Sequence, residues 1–400
     1  MGRLALNRTI GDGTSTMIYF DNAATSWPKP PGVIEAVTRC MEEAGANPGR
    51  SGHHMSVAAA RLVYETREAL AALLGADDPL RIVLGLNVTE ALNLALRGLL
   101  HPGDHVVTSA LEHNAVMRPL RALQRQGVEV SVVACTPEGE LDPQDVEAAI
   151  TDYTALIALN HASNVIGTLL PVAKVGAIAR DHGLPFLVDA AQTAGAYPID
   201  VEAMQIDLLA FTGHKALGGP MGTGGLWVGE RVGTSEMEPL KRGGTGSLSE
   251  HEEQPDFLPD VYESGTPNTP GIAGLGAAVR WVLDKGVDAI RAHEVMLTRR
   301  LIDGLLAIPG VTVYGTHEAE RQTATVSLNV HGMEPSDVAF HLDEEFDVMC
   351  RSGLHCSPAA HRTIGTFPRG TVRLSMGVLN TADEVDAVLD AIARLASQSL

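Results

Sequence analysis

Hydrophobic and polar positions follow two periods along the chain. Spacings of three and four residues favour helices over 32–43, 57–74, 89–100, 143–150, 172–182, 271–285, 287–307, 336–342 and 383–395. Short apolar or alternating runs favour strands over 81–85, 104–108, 128–134, 154–159, 184–188, 208–212 and 225–228. Because strands and helices alternate from about residue 30 to about residue 230, the pattern predicts an α/β fold with a mostly parallel sheet covered by helices.

The remainder of the chain has a different pattern. Residues 241–270 are rich in Gly, Ser, Glu and Pro without periodicity, which predicts a long loop of the kind that often carries function. Residues 311–376 then alternate strands with one helix. We expect a large domain over 17–280 and a smaller α+β domain over 281–400. Residues 1–16 are expected to be a leader or an ordered arm, because they lack the apolar stretch of a secretory signal.

Composition and charge narrow the function classes. The chain has 400 residues, and 49 acidic against 29 basic residues give a formal net charge of −20. Such a chain is a poor partner for nucleic acid or for an anionic membrane surface, and no apolar run is long enough to span a membrane. The four cysteines lack the spacing of a metal site or a disulfide framework, so no metal is expected and a cytoplasmic location is favoured.

A lysine and an aspartate follow two of the predicted strands. Lys215 lies in a glycine-rich turn after strand 208–212, and Asp189 follows strand 184–188. A single loop lysine is usually only solvated, but ligands of parallel sheets bind at the carboxyl ends of the strands. An aspartate can pair with a protonated pyridine nitrogen and a lysine can form a Schiff base, so the two residues together favour a pyridoxal phosphate site.

Short motifs along almost the whole chain make the sequence similar to the cysteine desulfurase and selenocysteine lyase family. This family has the class-V aminotransferase fold, which is fold type I of the pyridoxal-phosphate-dependent transferases. The motifs are Tyr19-Phe20-Asp21-Asn22-Ala23-Ala24, Asn47-Pro48-Gly49-Arg50, Glu112-His113, His161-Ala162-Ser163-Asn164, Val188-Asp189-Ala190-Ala191-Gln192, Thr212-Gly213-His214-Lys215, Gly265-Thr266-Pro267-Asn268-Thr269-Pro270 and Arg351-Ser352-Gly353-Leu354-His355-Cys356. The His355-Cys356 loop resembles the Suf-type (group II) branch, although Leu354 stands where that branch commonly has a histidine.

The resemblance implies roles for the residues that bind the cofactor. Lys215 would bind pyridoxal phosphate covalently and then move protons. Asp189 would pair with the pyridine nitrogen and Gln192 with the ring hydroxyl, while His113 would stack on the ring as a further catalytic residue. The resemblance assigns the phosphate to Val88, Thr89, Thr212, His214 and, across the interface of a homodimer, Thr266.

The resemblance also implies a substrate site and a nucleophile. Asn164 and Arg373 would bind the substrate carboxylate with support from Arg351, and a structural salt bridge is the alternative for Arg373. Cys356 would be the nucleophile, because it lies in a loop without periodicity beside a histidine. The other cysteines have the patterns of structural residues: Cys40, Cys135 and Cys350.

The function implied is conversion of L-cysteine to L-alanine, with the sulfur held on Cys356 as a persulfide. A sulfur-acceptor protein would receive it, for iron–sulfur cluster assembly, thio-modification of RNA or a biosynthetic pathway. A selenocysteine lyase and another pyridoxal-phosphate-dependent C–S lyase are alternatives that keep the same cofactor. A catalytically idle relative that serves as an assembly partner is a third alternative, but it need not retain Lys215, Asp189, Cys356 and Arg373 together.

Overall fold

A computed structural model describes residues 17–49 and 52–399, so the predicted leader over 1–16 lies outside the described residues. The helices are α1 (Val33–Glu43), α2 (His54–Leu74), α3 (Val88–Leu99), α4 (Asn114–Gln124), α5 (Pro143–Ala148), α6 (Val172–Asp181), α7 (Thr269–Lys285), α8 (Val287–Leu306), α9 (Pro335–Phe346), α10 (Pro358–Thr363) and α11 (Ala382–Ser399). The strands are β1 (Ile18–Tyr19), β2 (Ile82–Gly85), β3 (His105–Ser109), β4 (Glu129–Val133), β5 (Thr154–Asn160), β6 (Phe186–Asp189), β7 (Leu208–Thr212), β8 (Gly224–Val228), β9 (Val311–Tyr314), β10 (Thr325–Val330), β11 (Val348–Met349), β12 (Arg351–Gly353) and β13 (Thr371–Ser375).

The largest sheet has seven strands in the order β2-β8-β7-β6-β5-β3-β4. Its pairs from β7 to β4 are parallel, whereas β8 runs antiparallel to both β7 and β2. Because β2 and β7 are both antiparallel to β8, β2 points the same way as the parallel strands. The predicted fold class, a mostly parallel sheet covered by helices, is confirmed.

Alternate residues of each central strand enter different hydrophobic cores. In β5, Ile157 and Leu159 pack in one cluster with residues of α2, α6 and α7, while Leu156 and Ala158 pack in another with residues of α3 and α4. Every one of these four side chains is 1% exposed or less. The sheet is therefore covered on both faces, which leaves the ends of its strands as the place for a site.

The C-terminal region has its own antiparallel sheet, in the order β12-β13-β10-β9, and a third hydrophobic cluster. This cluster also contains Ile18 and Phe20, because β1 pairs with β11 at the far end of the sequence. The expected boundary near residue 280 falls inside α7, whose Val279 and Val282 pack on the large sheet. The division into 17–280 and 281–400 stays a prediction.

Two helices are absent from the predicted pattern. The periodicity indicated no helix over α4, whose interior contains Pro119, and proline normally interrupts a helix because it lacks an N–H donor. The short helix α10 was also missed, although Pro358 at its start is a common first helical residue. Both helices flank the candidate site described next. Other helix ends follow from the local sequence: Gly75 follows α2 with a φ of 69°, and the Asp142 side chain accepts from the N–H of Gln144 at the start of α5.

Candidate active site

A cavity of about 230 Å³ lies at the carboxyl ends of the parallel strands. Asn160, Asp189 and Thr212 end β5, β6 and β7 and enter it side by side. Its lining consists of Asn87, Val88, Thr89, His113, Asn160, Ala162, Asn164, Asp189, Ala191, Gln192, Thr212, His214 and Lys215. The cavity thus brings together nine of the thirteen site residues expected from the sequence, and the other four, Arg351, Cys356, Arg373 and Thr266, lie outside its lining.

Asp189 and Lys215 form the charged pair of this cavity. Asp189 is 5% exposed, and its Oδ1 accepts from the N–H of Ala191 at 2.9 Å. Burial raises the pKa of Asp189, whereas the nearby Lys215 lowers it. Burial lowers the pKa of Lys215 to about 8, and Asp189 opposes that shift. At neutral pH a useful fraction of Lys215 therefore carries no proton, as a nucleophilic amine requires.

The turn before Lys215 is fixed by its backbone. The carbonyl of His214 accepts from the N–H of Ser26 at 2.8 Å and from the hydroxyl of Thr25 at 3.1 Å. Gln192 reaches the same N-terminal segment, since its Nε2 donates to the carbonyl of Ala23 at 3.2 Å. These bonds hold the Lys215 turn against residues 23–26 rather than leaving it as a solvated loop.

His113 is the N-terminal cap of helix α4 and lines the cavity. Its Nδ1 accepts from the N–H of Ala115 at 3.0 Å, so the neutral ring carries its proton on Nε2. Burial, followed by the charge of Lys215, lowers the pKa of His113 to about 4. The ring is therefore neutral at pH 7, which suits stacking against a flat heterocycle.

Two polar atoms at one end of the cavity lack partners. Thr212 Oγ1 and His214 Nδ1 are buried, and neither has a hydrogen-bond partner among the described residues. Thr89 and Val88 open helix α3 beside them, where Asn87 accepts from the N–H of Glu90 at 3.0 Å. Helix N-termini bind anions because their first N–H groups are unpaired and the helix dipole is positive there. This end of the cavity has the donors that a phosphate needs.

Arg373 and Asn164 are in contact, as their expected joint role requires. Arg373 is 2% exposed, and its Nη1 donates to the backbone carbonyl of Asn164 at 3.0 Å. Its Nη2 forms an ion pair with Asp21 at 2.8 Å, so the salt bridge that was the alternative for Arg373 is present. Arg351 lies opposite Arg373 in the β12–β13 register and is exposed. Binding of a substrate carboxylate by these residues stays a prediction.

Cys356 lies on a turn that touches the cavity residues from outside. Its carbonyl accepts from the N–H of Asn114 at 2.9 Å, next to His113. Asn164 holds both sides of the turn: its Nδ2 donates to the carbonyl of His355 at 2.8 Å and its Oδ1 accepts from the hydroxyl of Ser357 at 2.6 Å. The thiol of Cys356 is free and exposed.

The other three cysteines differ from Cys356 in their surroundings. Cys40 is 2% exposed on α1, and Cys135 and Cys350 are partly buried. Burial raises the pKa of the Cys135 and Cys350 thiols to about 12, which keeps them protonated and unreactive. These surroundings agree with the structural roles expected of all three.

Thr266 stands apart from the Lys215 cavity of its own chain. It is exposed and lies in a second cavity of about 380 Å³, within hydrogen-bonding reach of Asn47, whose Nδ2 is 3.5 Å from Thr266 Oγ1.

The sequence analysis assigned no role to Asn160, Asp21 and Ser357, which contact the site residues. Their positions offered a signal: Asn160 comes directly after a predicted strand, and Ser357 comes directly after the expected nucleophile.

Within the described part of the chain, no group of three or more metal-binding side chains comes together and no helix is long and apolar enough to cross a membrane.

Comparisons with known proteins agree with the motifs. The profile of the family Aminotransferase class-V matches residues 18–388. A probable cysteine desulfurase of Methanothermobacter thermautotrophicus is 36% identical over 384 residues, which are 95% of this chain and 94% of that protein. A cysteine desulfurase of Salmonella dublin is 33% identical over 388 residues, 95% of this chain and 93% of that protein.

A solved structure gives the same result. The apo structure of the cysteine desulfurase from Thermococcus onnurineus NA1 has a TM-score of 0.90 and 35% identity, covering 96% of this chain and 95% of that one. The chain therefore belongs to the class-V aminotransferase family, and within it to the branch that contains the cysteine desulfurases. The predicted family is confirmed.

Enzymes of this family depend on pyridoxal phosphate, which is the cofactor of this protein. The cavity residues fit it. A buried carboxylate and an amine of lowered pKa would face the ring, and the unpartnered Thr212 and His214 atoms and the N-terminus of α3, which line the same cavity, would bind the phosphate.

Proposed function

We propose that the protein is a cysteine desulfurase that converts L-cysteine to L-alanine and retains the sulfur on Cys356 as a persulfide. The observation that carries the proposal is the Cys356 turn. It bears an exposed thiol, and two hydrogen bonds fasten it to Asn164, which also lines the cavity of Lys215. A nucleophilic sulfur and an amine of lowered pKa are thereby joined through one residue.

The cofactor would be held both at its ring and at its phosphate. Asp189 would face the pyridine nitrogen, His113 the ring face and Gln192 the ring hydroxyl. The phosphate would be bound by Val88, Thr89, Thr212 and His214. When bound, pyridoxal phosphate supplies an electron sink for the bonds around the substrate α-carbon.

Arg373 and Asn164 orient the substrate through its α-carboxylate, for which a guanidinium offers a planar pair of donors. Arg351 adds positive charge at the exposed side of the same site. Lys215 takes up a proton from the substrate and returns one to the product, and its pKa of about 8 makes both directions accessible at neutral pH.

Sulfur transfer is the task of Cys356. Its thiolate attacks the sulfur of L-cysteine, so that an S–S bond forms while the bond between Cβ and sulfur breaks. The electron pair of the broken bond stays with the carbon skeleton, which gains protons to become L-alanine. The net change is L-cysteine plus Cys356–SH to L-alanine plus Cys356–S–SH, which needs no external oxidant or reductant.

The exposed turn also suits delivery of the sulfur. A persulfide on an exposed thiol is accessible to a second protein, such as an acceptor for iron–sulfur cluster assembly. All four cysteines are free, which agrees with a reducing compartment and supports a cytoplasmic location.

We further propose a homodimer in which Thr266 binds the phosphate of the partner subunit. Its exposed position outside the Lys215 cavity of its own chain supports this arrangement. In mixed dimers of Lys215→Ala and Thr266→Ala subunits, activity should differ from the average of the two homodimers. Strictly additive activities would contradict a shared site.

Product analysis tests the proposed reaction. The holoenzyme is incubated with about two equivalents of L-cysteine per subunit and no added reductant, because excess L-cysteine is a thiol that would discharge a persulfide, and alanine, pyruvate and ammonia are measured. Alanine should form at about one equivalent per Cys356 and then stop, because the persulfide blocks the nucleophile; a thiol reductant should restore turnover. Pyruvate with ammonia would identify a C–S lyase instead. A large preference for L-selenocysteine, with alanine formed equally in the absence of a Cys356 thiol, would identify a selenocysteine lyase.

A further inference from the structure

Arg373, the residue expected to bind the substrate carboxylate, is already paired with another carboxylate. Asp21 Oδ1 is 2.8 Å from Arg373 Nη2. The arginine is 2% exposed, whereas the Asp21 side chain is 21% exposed. A guanidinium buried to this extent requires a partner, because an unpaired buried charge is costly.

The backbone fixes Asp21 with respect to Arg373. Residues 20–23 lie along the end of β13, two residues from the arginine. Ser375 donates its N–H to the carbonyl of Phe20 at 2.7 Å and accepts at its own carbonyl from the N–H of Asn22 at 3.1 Å. Its hydroxyl oxygen accepts from the N–H of Ala23 at 2.9 Å. Asp21 is thus held on both sides by one residue of the strand that carries Arg373.

The contacts of Arg373 continue towards the nucleophile. Its Nη1 donates to the carbonyl of Asn164, and the Asn164 side chain binds the turn of Cys356 on both sides. Nε of Arg373 has no partner among the described residues. Of the two hydrogen-bond partners of the guanidinium within the described part of the chain, only Asp21 carries a charge, so Asp21 determines the plane in which the remaining donors lie.

We propose that Asp21 is a positioning residue that fixes the guanidinium of Arg373 for the α-carboxylate of the substrate. The proposal rests on the proposed function, since it requires Arg373 to bind an amino acid substrate. Asp21 itself does not touch the reacting atoms. Without it, the guanidinium can rotate, and the substrate carboxylate loses its prearranged pair of donors.

The test uses the holoenzyme with Asp21→Ala and Asp21→Asn. For Asp21→Ala, the KM for L-cysteine should rise by about tenfold with kcat changed less than about threefold, because binding rather than sulfur transfer is affected. L-alanine, titrated by its effect on the cofactor absorption spectrum, should bind about tenfold more weakly. Asp21→Asn should lie between wild type and Asp21→Ala, since an amide oxygen still accepts from Nη2.

Asp386→Ala is the matched control, because Asp386 forms an exposed ion pair with Arg300 at 2.6 Å and takes no part in the contacts of Asp21 and Arg373. It should leave both constants unchanged. An unchanged KM and L-alanine affinity in Asp21→Ala and Asp21→Asn, whatever their melting temperatures, would overturn the proposal. Arg373→Lys distinguishes failure of the role of Asp21 from failure of the carboxylate site. If it raises KM while the Asp21 variants do not, only the role of Asp21 fails; if it leaves KM unchanged, the carboxylate site itself is wrong.

Discussion

The Lys215 cavity and the Cys356 turn are built in different ways. The cavity side chains Asp189 and Thr212 end strands of a sheet covered on both faces, so their positions follow from the packed core. Cys356 lies between β12 and α10, with a φ of 59° after His355 with a φ of 47°. Both values fall in the left-handed region, which non-glycine residues adopt only when other contacts hold them there.

Those contacts are few and specific. The turn is held by hydrogen bonds with Asn114 and Asn164, one of them donated by Ser357, and by His355 Nε2, which lies 3.2 Å from the Thr371 hydroxyl, rather than by a strand ladder. The comparison shows that the Lys215 cavity and the Cys356 turn are supported differently, with Asn164 as a residue that contributes to both. Mutations should therefore separate cofactor binding from sulfur transfer.

Lys215→Ala should give the largest effect, because it removes the group that is proposed both to bind the cofactor and to move protons. Formation of alanine should fall by about 10³-fold or more. Borohydride should no longer trap a covalent bond between protein and cofactor, while the Cys356 thiol should react with a thiol reagent as in wild type. A trapped bond of unchanged yield would show that another lysine holds the cofactor.

Cys356→Ser should stop the reaction without disturbing the cavity. Alanine formation from L-cysteine should fall by about 100-fold or more, whereas the cofactor absorption spectrum should stay that of the wild type. Activity on L-selenocysteine should survive in part, because selenium leaves carbon more readily than sulfur. Cys135→Ala is the matched control, since its thiol is partly buried and has a pKa raised to about 12. Wild-type alanine formation by Cys356→Ser would show that another group accepts the sulfur.

Ser357→Ala should weaken the support of the turn. The variant removes the hydroxyl that donates to Asn164 Oδ1 at 2.6 Å and leaves that buried oxygen without its donor. An unsatisfied buried acceptor costs about 1–3 kcal/mol, so kcat/KM for L-cysteine should fall by about tenfold with cofactor content unchanged. Ser336→Ala on the exposed start of α9 is the control. Equal kinetics in the two variants would mean that the turn does not need this bond.

His361→Asn should produce the smallest effect, which appears in the pH dependence of stability. His361 lies in α10 and is 0% exposed, and burial lowers its pKa to about 4. Between pH 4 and about 6.5 the unfolded chain binds a proton that the folded chain does not, so stability falls as pH decreases through this window. The amide side chain of the variant cannot titrate.

The loss in the free energy of unfolding between pH 7 and pH 5 should therefore be about 1–2 kcal/mol smaller in His361→Asn than in wild type. Urea denaturation at the two pH values, at equal cofactor occupancy, measures this difference. An identical loss in both proteins would show that His361 does not remain neutral in the folded state.

The sequence predicted the cavity better than its surroundings. Lys215 and Asp189 could be found because each follows a strand whose apolar run is local, and parallel strands bring their carboxyl ends together. Helix α4 could not be predicted, because Pro119 interrupts the local helical pattern. Packing of Val116 and Leu120 on the sheet stabilises the helix despite the proline. Tertiary contacts outweighed local propensity there.

The ion pair of Asp21 with Arg373 was beyond sequence reasoning for a related reason. The family resemblance identified Arg373 as a residue that binds the substrate carboxylate. The alternative was a structural salt bridge, for which the sequence named no partner. Its partner lies near the opposite end of the chain and reaches it because β1 pairs with β11 and the residues after β1 bond to Ser375 of β13. No periodicity in either segment records that pairing.

The pairing of β1 with β11 has a consequence for the order of synthesis. Ile18 and Phe20 leave the ribosome early, but Val348 and the cluster that covers them are translated near the end. At typical rates of elongation the first segment waits on the order of tens of seconds for its partner. During that interval an apolar stretch is exposed on the nascent chain, so the C-terminal core closes only after translation is nearly complete. We therefore expect chaperones to bind mainly the N-terminal segment of the nascent chain.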